Sequence, residues 1–287
     1  MSAKKIAIII HAGAGKYPKD LIRAKKIQEK ISEIAHEGYA YLRTHSAVDT
    51  VVKVVQWLED WPETNAGIGS LLQSDGKARL SASLMDGHLK RFSGVINIEK
   101  IKNPILVAKL LQKEKDRVLS GEGAQKFALE KGLKSFDPRT KESIKKWGLM
   151  SQKNEKYGTV GACALDINGR LAAATSTGGR GMERIGRVSD SATPAGNYAD
   201  DYAACSATGI GEDILDVSLC SRLADRGKEY KDLGISFNRV FKEMASQKRQ
   251  LASIGVDQKG QVFSKNTTEI LYYSSLTPYK SETFKIN

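Results

Sequence analysis

The sequence predicts an α/β protein whose sheets are mainly antiparallel. Helical and strand-like patterns are interspersed along its 287 residues, and many strand-like runs come as neighbouring pairs. Two of these pairs are joined by hairpin signals, Asp86-Gly87 and Asn168-Gly169. No repeat of fixed period and no low-complexity tract interrupts the pattern. A chain of this length can bury a large core.

Apolar periodicity and turn residues place the individual elements. Short apolar or alternating runs predict strands, and apolar positions three and four residues apart predict helices. Ser46 is typical of a helix N-cap, and Trp61-Pro62 of a helix end. In chain order the predicted elements are a strand over 5–10, helices over 20–43 and 46–61, a glycine-rich turn over 65–70, strands near 78–85 and 93–98, a helix over 104–133, a hairpin over 160–166 and 171–176, helices over 211–223 and 236–250, and strands near 252–257, 261–264 and 270–274.

The charge is uneven along the chain. Residues 1–158 carry 29 basic and 18 acidic residues, a net charge of +11, whereas residues 159–287 carry 16 and 15, a net charge of +1. The lysines of the first half alternate with acidic residues at helical spacing, which is typical of a solvated helix face. The lysine-rich stretch over about 134–158 predicts a mobile linker. We therefore expect no nucleic-acid partner, while attraction of an acidic substrate stays open.

Cysteine usage and hydropathy indicate the compartment. Cys163, Cys205 and Cys220 are odd in number and lack metal-ligand spacing, so we expect reduced thiols in a cytoplasmic protein. The apolar run over 6–10 is too short to span a bilayer and is not followed by a signal-peptide pattern. We expect no membrane association.

A Gly-Thr step is the strongest pointer to chemistry. Thr159 opens a strand-like run directly after Gly158, and a second threonine and glycine cluster follows at 175–179. A threonine hydroxyl is a poor nucleophile unless a base is within reach. Cleavage after Gly158 would supply that base, because a new α-amino group has a pKa of roughly 7.7–8.0. The alternative is an ordinary strand start, with glycine for the turn and threonine for β propensity.

The histidines favour the first interpretation. All four of them, His11, His36, His45 and His88, precede Gly158, and no G-x-S-x-G elbow is present. Only His11 adjoins a glycine loop. A threonine that carries its own base needs no histidine, so the sequence predicts an N-terminal-threonine amidohydrolase that cleaves itself.

Several further motifs occur in one order along most of the chain. They are Ile8-Ile9-Ile10-His11-Ala12-Gly13-Ala14-Gly15, the stretch 58–70, Ala82-Ser83-Leu84-Met85-Asp86-Gly87, Ile101-Lys102-Asn103-Pro104, the stretches 158–166 and 174–179, and Gly186-Arg187-Val188-Ser189-Asp190-Ser191. Together they resemble the plant-type L-asparaginase/isoaspartyl aminopeptidase family of N-terminal nucleophile hydrolases.

The resemblance implies a four-layer α/β/β/α sandwich with mainly antiparallel sheets. Residues 1–158 would become an α subunit and residues 159–287 a β subunit, which stay together as one structural domain and self-associate as a dimer of αβ pairs. The implied activity is hydrolysis of the side-chain amide of L-asparagine and of β-aspartyl dipeptides, with no cofactor for catalysis. Two alternatives stay open: action on glycosylated asparagine or a protein, and a non-cleaving basic binding protein.

The resemblance also assigns catalytic roles. Thr159 would be the nucleophile, freed by cleavage after Gly158, with Thr177 orienting it and Asn65 close by. A loop of backbone carbonyls would hold a structural sodium ion that takes no part in the reaction. Those carbonyls would belong to Leu58, Glu59, Trp61, Thr64, Ala66 and Ile68.

Substrate recognition falls to a second group of residues in the same resemblance. Arg187 would pair with the substrate α-carboxylate, because its planar donor fork suits a carboxylate. Asp190 would bind the substrate α-ammonium, which Gly211 would approach through its backbone. The hydroxyl of Thr208 and the N–H of Gly209 would face the developing oxyanion.

The chain departs from the family pattern at three places. Ala12 stands where the family usually has glycine, and Ser189 likewise replaces a usual glycine. The stretch 191–198 replaces a Ser-Pro-containing segment and is one residue shorter. We expect Ala12 to slow self-cleavage or reshape its loop, and 191–198 to alter substrate preference.

Overall fold

Two sheets lie face to face between two layers of helices. The structure is a computed structural model that describes residues 5–18, 20–149 and 158–286. Its strands are β1 (Ala7–Gly15), β2 (Leu80–Asp86), β3 (Arg91–Ile98), β4 (Val118–Ser120), β5 (Val160–Leu165), β6 (Leu171–Thr177), β7 (Asn197–Ala199), β8 (Ala203–Gly209), β9 (Leu251–Asp257), β10 (Val262–Asn266), β11 (Ile270–Leu276) and β12 (Ser281–Thr283). Its α-helices are α1 (Leu21–Leu42), α2 (Ala47–Asp60), α3 (Pro104–Leu111), α4 (Gly121–Glu130), α5 (Lys141–Gly148), α6 (Gly211–Val217), α7 (Leu219–Tyr230) and α8 (Leu233–Ser246).

The large sheet mixes strands from both sides of Gly158. Its order is β12-β11-β1-β5-β6-β2-β3-β4, and the small sheet has the order β10-β9-β8-β7. All neighbouring strands are antiparallel except β3 and β4. Since β1 lies between β11 and β5, a cut after Gly158 would leave the two parts interlocked in one sheet.

Period-two alternation along the strands divides the core into three layers. On β1, Ile8 and Ile10 pack on the side of α1 and α2, whereas Ile9 packs between the sheets. On β8, Cys205 packs with α7 and α8, whereas Ala204 packs between the sheets. The predicted four-layer α/β/β/α sandwich is therefore confirmed, and both predicted hairpins join the expected strands.

Two predicted helices are wrong, because each of them is two separate helices in the structure. The predicted helix over 104–133 is split into α3 and α4 by β4, which pairs parallel with β3. Gly121, with a φ of +51°, starts α4 in the left-handed region that glycine tolerates. The predicted helix over 211–223 breaks at Ser218, whose φ of +50° separates α6 from α7.

The predicted linker over about 134–158 contains a helix. α5 begins with a capping box in which the Thr140 and Ser143 side chains each bond the other residue's backbone N–H. Residues 150–157 of the predicted linker lie outside the described residues. Four short or small-residue strands, β4, β7, β8 and β12, are absent from the prediction, and β1 continues through the predicted glycine loop.

No helix in the described part of the chain is long and apolar enough to cross a membrane. The three cysteines are free and buried.

Candidate active site

The predicted active-site threonines lie at one end of the space between the two sheets. Thr159 directly precedes β5, and Thr177 ends β6, which runs antiparallel to β5. Alternation puts both side chains on the sheet face that carries Cys163, which packs toward the small sheet. Thr208 shares the inward face of β8 with Ala204. The fold thus turns hydroxyl groups of both sheets toward each other.

A short hydrogen-bond chain fixes the predicted nucleophile. Thr159 Oγ1 donates to Thr177 Oγ1 at 3.1 Å. The same Thr177 oxygen accepts the N–H of Gly179 at 3.2 Å. Thr177 is buried and Thr159 half-buried. The hydrogen bond from the Gly179 N–H holds the Thr177 oxygen in place, so that this oxygen can accept a hydrogen bond from the Thr159 hydroxyl.

Asn65 ties the predicted cleavage site to this chain. Its backbone N–H donates to the carbonyl of Gly158 at 3.2 Å, and its carbonyl accepts the N–H of Gly178 at 2.8 Å. Its side-chain amide donates to the carbonyl of Gly179, and its Oδ1 accepts the N–H of Leu71 at 2.9 Å. A Cβ at residue 158 would lie 2.3 Å from the Asn65 Cβ, so only glycine fits there.

Arg187, Asp190 and Gly211 lie close together. An ideal Cβ on Gly211 would lie 2.6 Å from Arg187 Nη2 and 2.8 Å from Asp190 Oδ1. Glu212 holds one edge of the Arg187 guanidinium, accepting from Nε at 3.1 Å and from Nη2 at 3.0 Å. Gly209, with a φ of +130°, turns the chain between β8 and α6 and would bring a Cβ within 2.7 Å of the Gln250 carbonyl.

Two of the buried side-chain oxygen atoms without a partner among the described residues belong to predicted site residues. They are Oδ2 of Asp190 and Oγ1 of Thr208. An unsatisfied buried polar group costs about 1–3 kcal/mol, and a bound ligand would supply each of these two atoms with a partner. Burial raises the pKa of Asp190 to about 7, against the opposing effect of the Arg187 charge. A ligand ammonium would satisfy the Asp190 carboxylate and lower that pKa.

A supporting layer behind the binding groups escapes prediction from the sequence. Ser83 Oγ donates to the carbonyl of Ser191 at 2.5 Å and accepts from Asn197 Nδ2 at 2.9 Å. Asn97 Nδ2 donates to the carbonyl of Arg187 at 3.0 Å. These bonds fix both ends of the segment that carries Asp190. The sequence signals are that Ser83 and Asn97 lie in predicted strands and that Ser83 belongs to one of the family-like motifs.

His11 belongs to a buried network behind the threonines. Its Nε2 lies 2.8 Å from Ser206 Oγ, which lies 2.7 Å from Thr175 Oγ1. Burial lowers the pKa of His11 to about 3, and a hydrogen bond to the Thr159 backbone acts in the opposite direction. The ring is therefore neutral near pH 7. Alternation along β1 puts His11 on the inward face with Ile9. The predicted strand ends at residue 10, so the prediction does not place His11 on that face.

The last turn of α2 and the loop after it contain the backbone carbonyls named in the sodium prediction. Thr64 Oγ1 donates to the carbonyls of Leu58 at 2.7 Å and Trp61 at 2.9 Å, so these oxygens point into the loop. Gly67 is so close to Glu59 that an ideal Cβ would lie 2.3 Å from the Glu59 carbonyl oxygen. No cluster of carboxylate, histidine and cysteine side chains suited to a metal occurs among the described residues. The remaining predicted carbonyls, of Ala66 and Ile68, lie in the same loop.

The sandwich gathers hydroxyl groups of both sheets at one end, and comparison with known proteins identifies the chain as a hydrolase. The asparaginase family matches residues 4–285, and the chain belongs to that family. An isoaspartyl peptidase/L-asparaginase of Nostoc is 42% identical, over 92% of this chain and 89% of its own. A plant-type L-asparaginase of Pyrococcus abyssi is 36% identical, over 93% of this chain and 95% of its own. An isoaspartyl peptidase/L-asparaginase of Rattus norvegicus is 42% identical, over 76% of this chain and 70% of its own.

Proposed function

We propose that the chain is a self-cleaving amidohydrolase that acts on the side-chain amide of L-asparagine and on β-aspartyl dipeptides. One observation carries the proposal. The hydroxyl of Thr159, directly after Gly158, donates to Thr177 while the N–H of Asn65 donates to the Gly158 carbonyl. The family and the names of the relatives support the substrate class.

Self-cleavage uses the groups around the Gly158 carbonyl. Thr159 Oγ1 attacks the carbonyl carbon, the C–N bond between the two residues breaks, and the new amine takes up the hydroxyl proton. The Asn65 N–H, 3.2 Å from the carbonyl oxygen, stabilises its negative charge. Water then hydrolyses the ester, which leaves a carboxylate on Gly158 and a free α-amino group on Thr159. The α subunit (1–158) and β subunit (159–287) remain joined through the shared sheet.

Turnover uses the same hydroxyl with a different base. Arg187 pairs with the substrate α-carboxylate and Asp190 with its ammonium. Thr159 Oγ1 attacks the side-chain carbonyl carbon and passes its proton to its own α-amino group, with a pKa of roughly 7.7–8.0. The Thr208 hydroxyl and the Gly209 N–H stabilise the oxyanion. Ammonia or an amino acid leaves with the proton, and water releases aspartate from the acyl-enzyme.

Substitution of the nucleophile tests the proposal. Thr159→Ala should stay a single 31.4 kDa chain in a denaturing mass spectrum and hydrolyse neither substrate. Thr159→Ser keeps a hydroxyl and should still cleave and turn over, which makes it the matched control. Hydrolysis of β-aspartyl-leucine by Thr159→Ala would contradict the mechanism. Faster wild-type turnover of a glycosylasparagine than of β-aspartyl-leucine would redirect the substrate class.

We propose a structural sodium ion in the loop after α2, held by backbone carbonyls. The inward orientation of the Leu58 and Trp61 carbonyls supports it, because hard cations prefer oxygen ligands. The ion has no role in the steps above. A melting temperature that rises saturably with NaCl, but not with choline chloride at equal ionic strength, would support the site. Equal curves would refute it.

We also infer assembly into a dimer of αβ pairs in the cytoplasm. Met182, Ile185 and Val188 are exposed on the segment leading to Asp190, and association would cover such apolar surface. Light scattering should give about 63 kDa, twice the 31.4 kDa chain. The free thiols support a reducing compartment.

A further inference from the structure

A cavity of about 420 Å³ adjoins the predicted cleavage site. Its walls come from the end of β1, the start of α1, the loop after α2 and the region of β11. Gly158 and Asn65 line it, and the Asn65 N–H donates to the Gly158 carbonyl, so the cavity reaches the residue directly before Thr159. The volume lies within the roughly 300–1,000 Å³ of small-molecule sites. We call this cavity the leaving-residue pocket.

Strand order sets the direction of the pocket from the nucleophile. β5 lies between β6 and β1 in the large sheet, and β11 lies beyond β1. Thr177 ends β6, and the segment after β6 carries Arg187 and Asp190, the proposed anchors of the aspartyl unit. The pocket lies at β1 and β11, on the side of β5 opposite to β6. A substrate anchored beside β6, with its carbonyl carbon at Thr159, projects its leaving nitrogen toward the pocket.

The pocket walls combine three aromatic side chains with charged residues. Tyr17, Trp61 and Tyr272 are half-buried aromatic residues that line it. Arg23 forms an ion pair with Glu63, and the lining also includes Lys16, Asp20 and Glu269, of which Glu269 accepts the backbone N–H of Tyr17 at 2.8 Å. Aromatic walls give much contact area to an aromatic or aliphatic partner. Ammonia, which L-asparagine releases, would use none of this surface.

We propose that the leaving-residue pocket binds the residue released from β-aspartyl peptides and favours one with an aromatic or large aliphatic side chain. This inference rests on the proposed function and names a substrate class within it. Thr159 Oγ1 forms a bond to the β-carbonyl carbon, and the bond from that carbon to the α-nitrogen of the next residue breaks. That nitrogen leaves with the proton that the hydroxyl gave to the Thr159 amine.

Steady-state kinetics on the mature wild-type protein and on Tyr17→Ala test the proposal. The substrates are L-asparagine, β-aspartyl-glycine and β-aspartyl-phenylalanine. Wild type should have a kcat/KM for the phenylalanine peptide at least about tenfold above that for the glycine peptide, since one well-packed group is worth roughly that factor. Tyr17→Ala should lower the kcat/KM for the phenylalanine peptide, relative to the kcat/KM for L-asparagine, about tenfold. Tyr17→Phe should restore that ratio of kcat/KM values.

Tyr279→Ala is the matched control, because Tyr279 is 78% exposed and outside the pocket, and it should leave every ratio unchanged. Equal wild-type values for the two peptides would overturn the pocket, whether or not Tyr17→Ala folds. An equal loss on all three substrates in Tyr17→Ala would also overturn it, because that marks a structural role. Absence of L-asparagine hydrolysis together with an uncut chain would instead overturn the proposed function.

Discussion

A single methyl group at Gly211 should separate substrate binding from self-cleavage. In Gly211→Ala the new Cβ would lie 2.6 Å from Arg187 Nη2 and 2.8 Å from Asp190 Oδ1, whereas ordinary contact begins at 3.4 Å. Each group must therefore retreat by roughly 0.6–0.8 Å. Because misplacement on the order of 1 Å costs up to about 100-fold, we expect KM for L-asparagine to rise about 10- to 100-fold, or about 1.4–2.8 kcal/mol.

The assay pairs kinetics with a denaturing mass spectrum of the same sample. Gly211→Ala should still be cut after Gly158, since Gly211 contacts neither the Thr159–Thr177 bond nor Asn65. The control is Gly123→Ala in α4, where a Cβ meets nothing within 4 Å. That change should leave KM alone and stabilise the helix by about 0.5–1 kcal/mol. An unchanged KM in Gly211→Ala would refute the proposed binding site. An uncut Gly211→Ala chain would refute the claim that substrate binding can be impaired without impairing self-cleavage.

Two further predictions concern charge and buried hydrogen bonds. Protonation of Asp190, whose pKa burial raises to about 7, should remove its charge as pH falls, so KM for L-asparagine should rise below about pH 7; a KM constant from pH 8 to 6 would contradict the ammonium role. Ser206→Ala should leave His11 Nε2 without its buried partner and cost about 1–3 kcal/mol of unfolding free energy, measured by urea denaturation. Ser246→Ala, at the exposed end of α8, is its control, and an equal small loss in both would refute the network.

Residues that act through their own chemistry could be predicted, and residues that act through tertiary contacts could not. Thr159 and Arg187 stand in motifs that resemble those of the family, and that resemblance assigns their proposed roles. Ser83 and Asn97 resemble any polar residues of a strand, because their partners are carbonyls about 90 to 108 residues away along the chain. Only the paired strands and the loop after β6 bring them together.

The missed strands have a similar cause. β8 is Ala-Ala-Cys-Ser-Ala-Thr-Gly, a run of mostly small residues with little intrinsic strand preference. It is a strand because β7 and β9 pair with it on both edges and because α7 and the large sheet cover its faces. β4 is three residues long and depends wholly on its pairing with β3. Local sequence cannot report such partners, so the inward alternation that places Ser206 and Thr208 stayed hidden.

The two proposed reactions use one hydroxyl but different supports, which lie on different parts of the fold. The groups for self-cleavage, Asn65 and Thr177, belong to the large sheet and the loop before β2. The proposed substrate-binding and oxyanion groups for turnover lie in the segment after β6 and at the end of β8. Thr208→Val should therefore spare cleavage while lowering kcat by about 10²–10³, the usual effect of losing one oxyanion donor. A Thr208→Val chain that stays uncut would show that both reactions share a single oxyanion site.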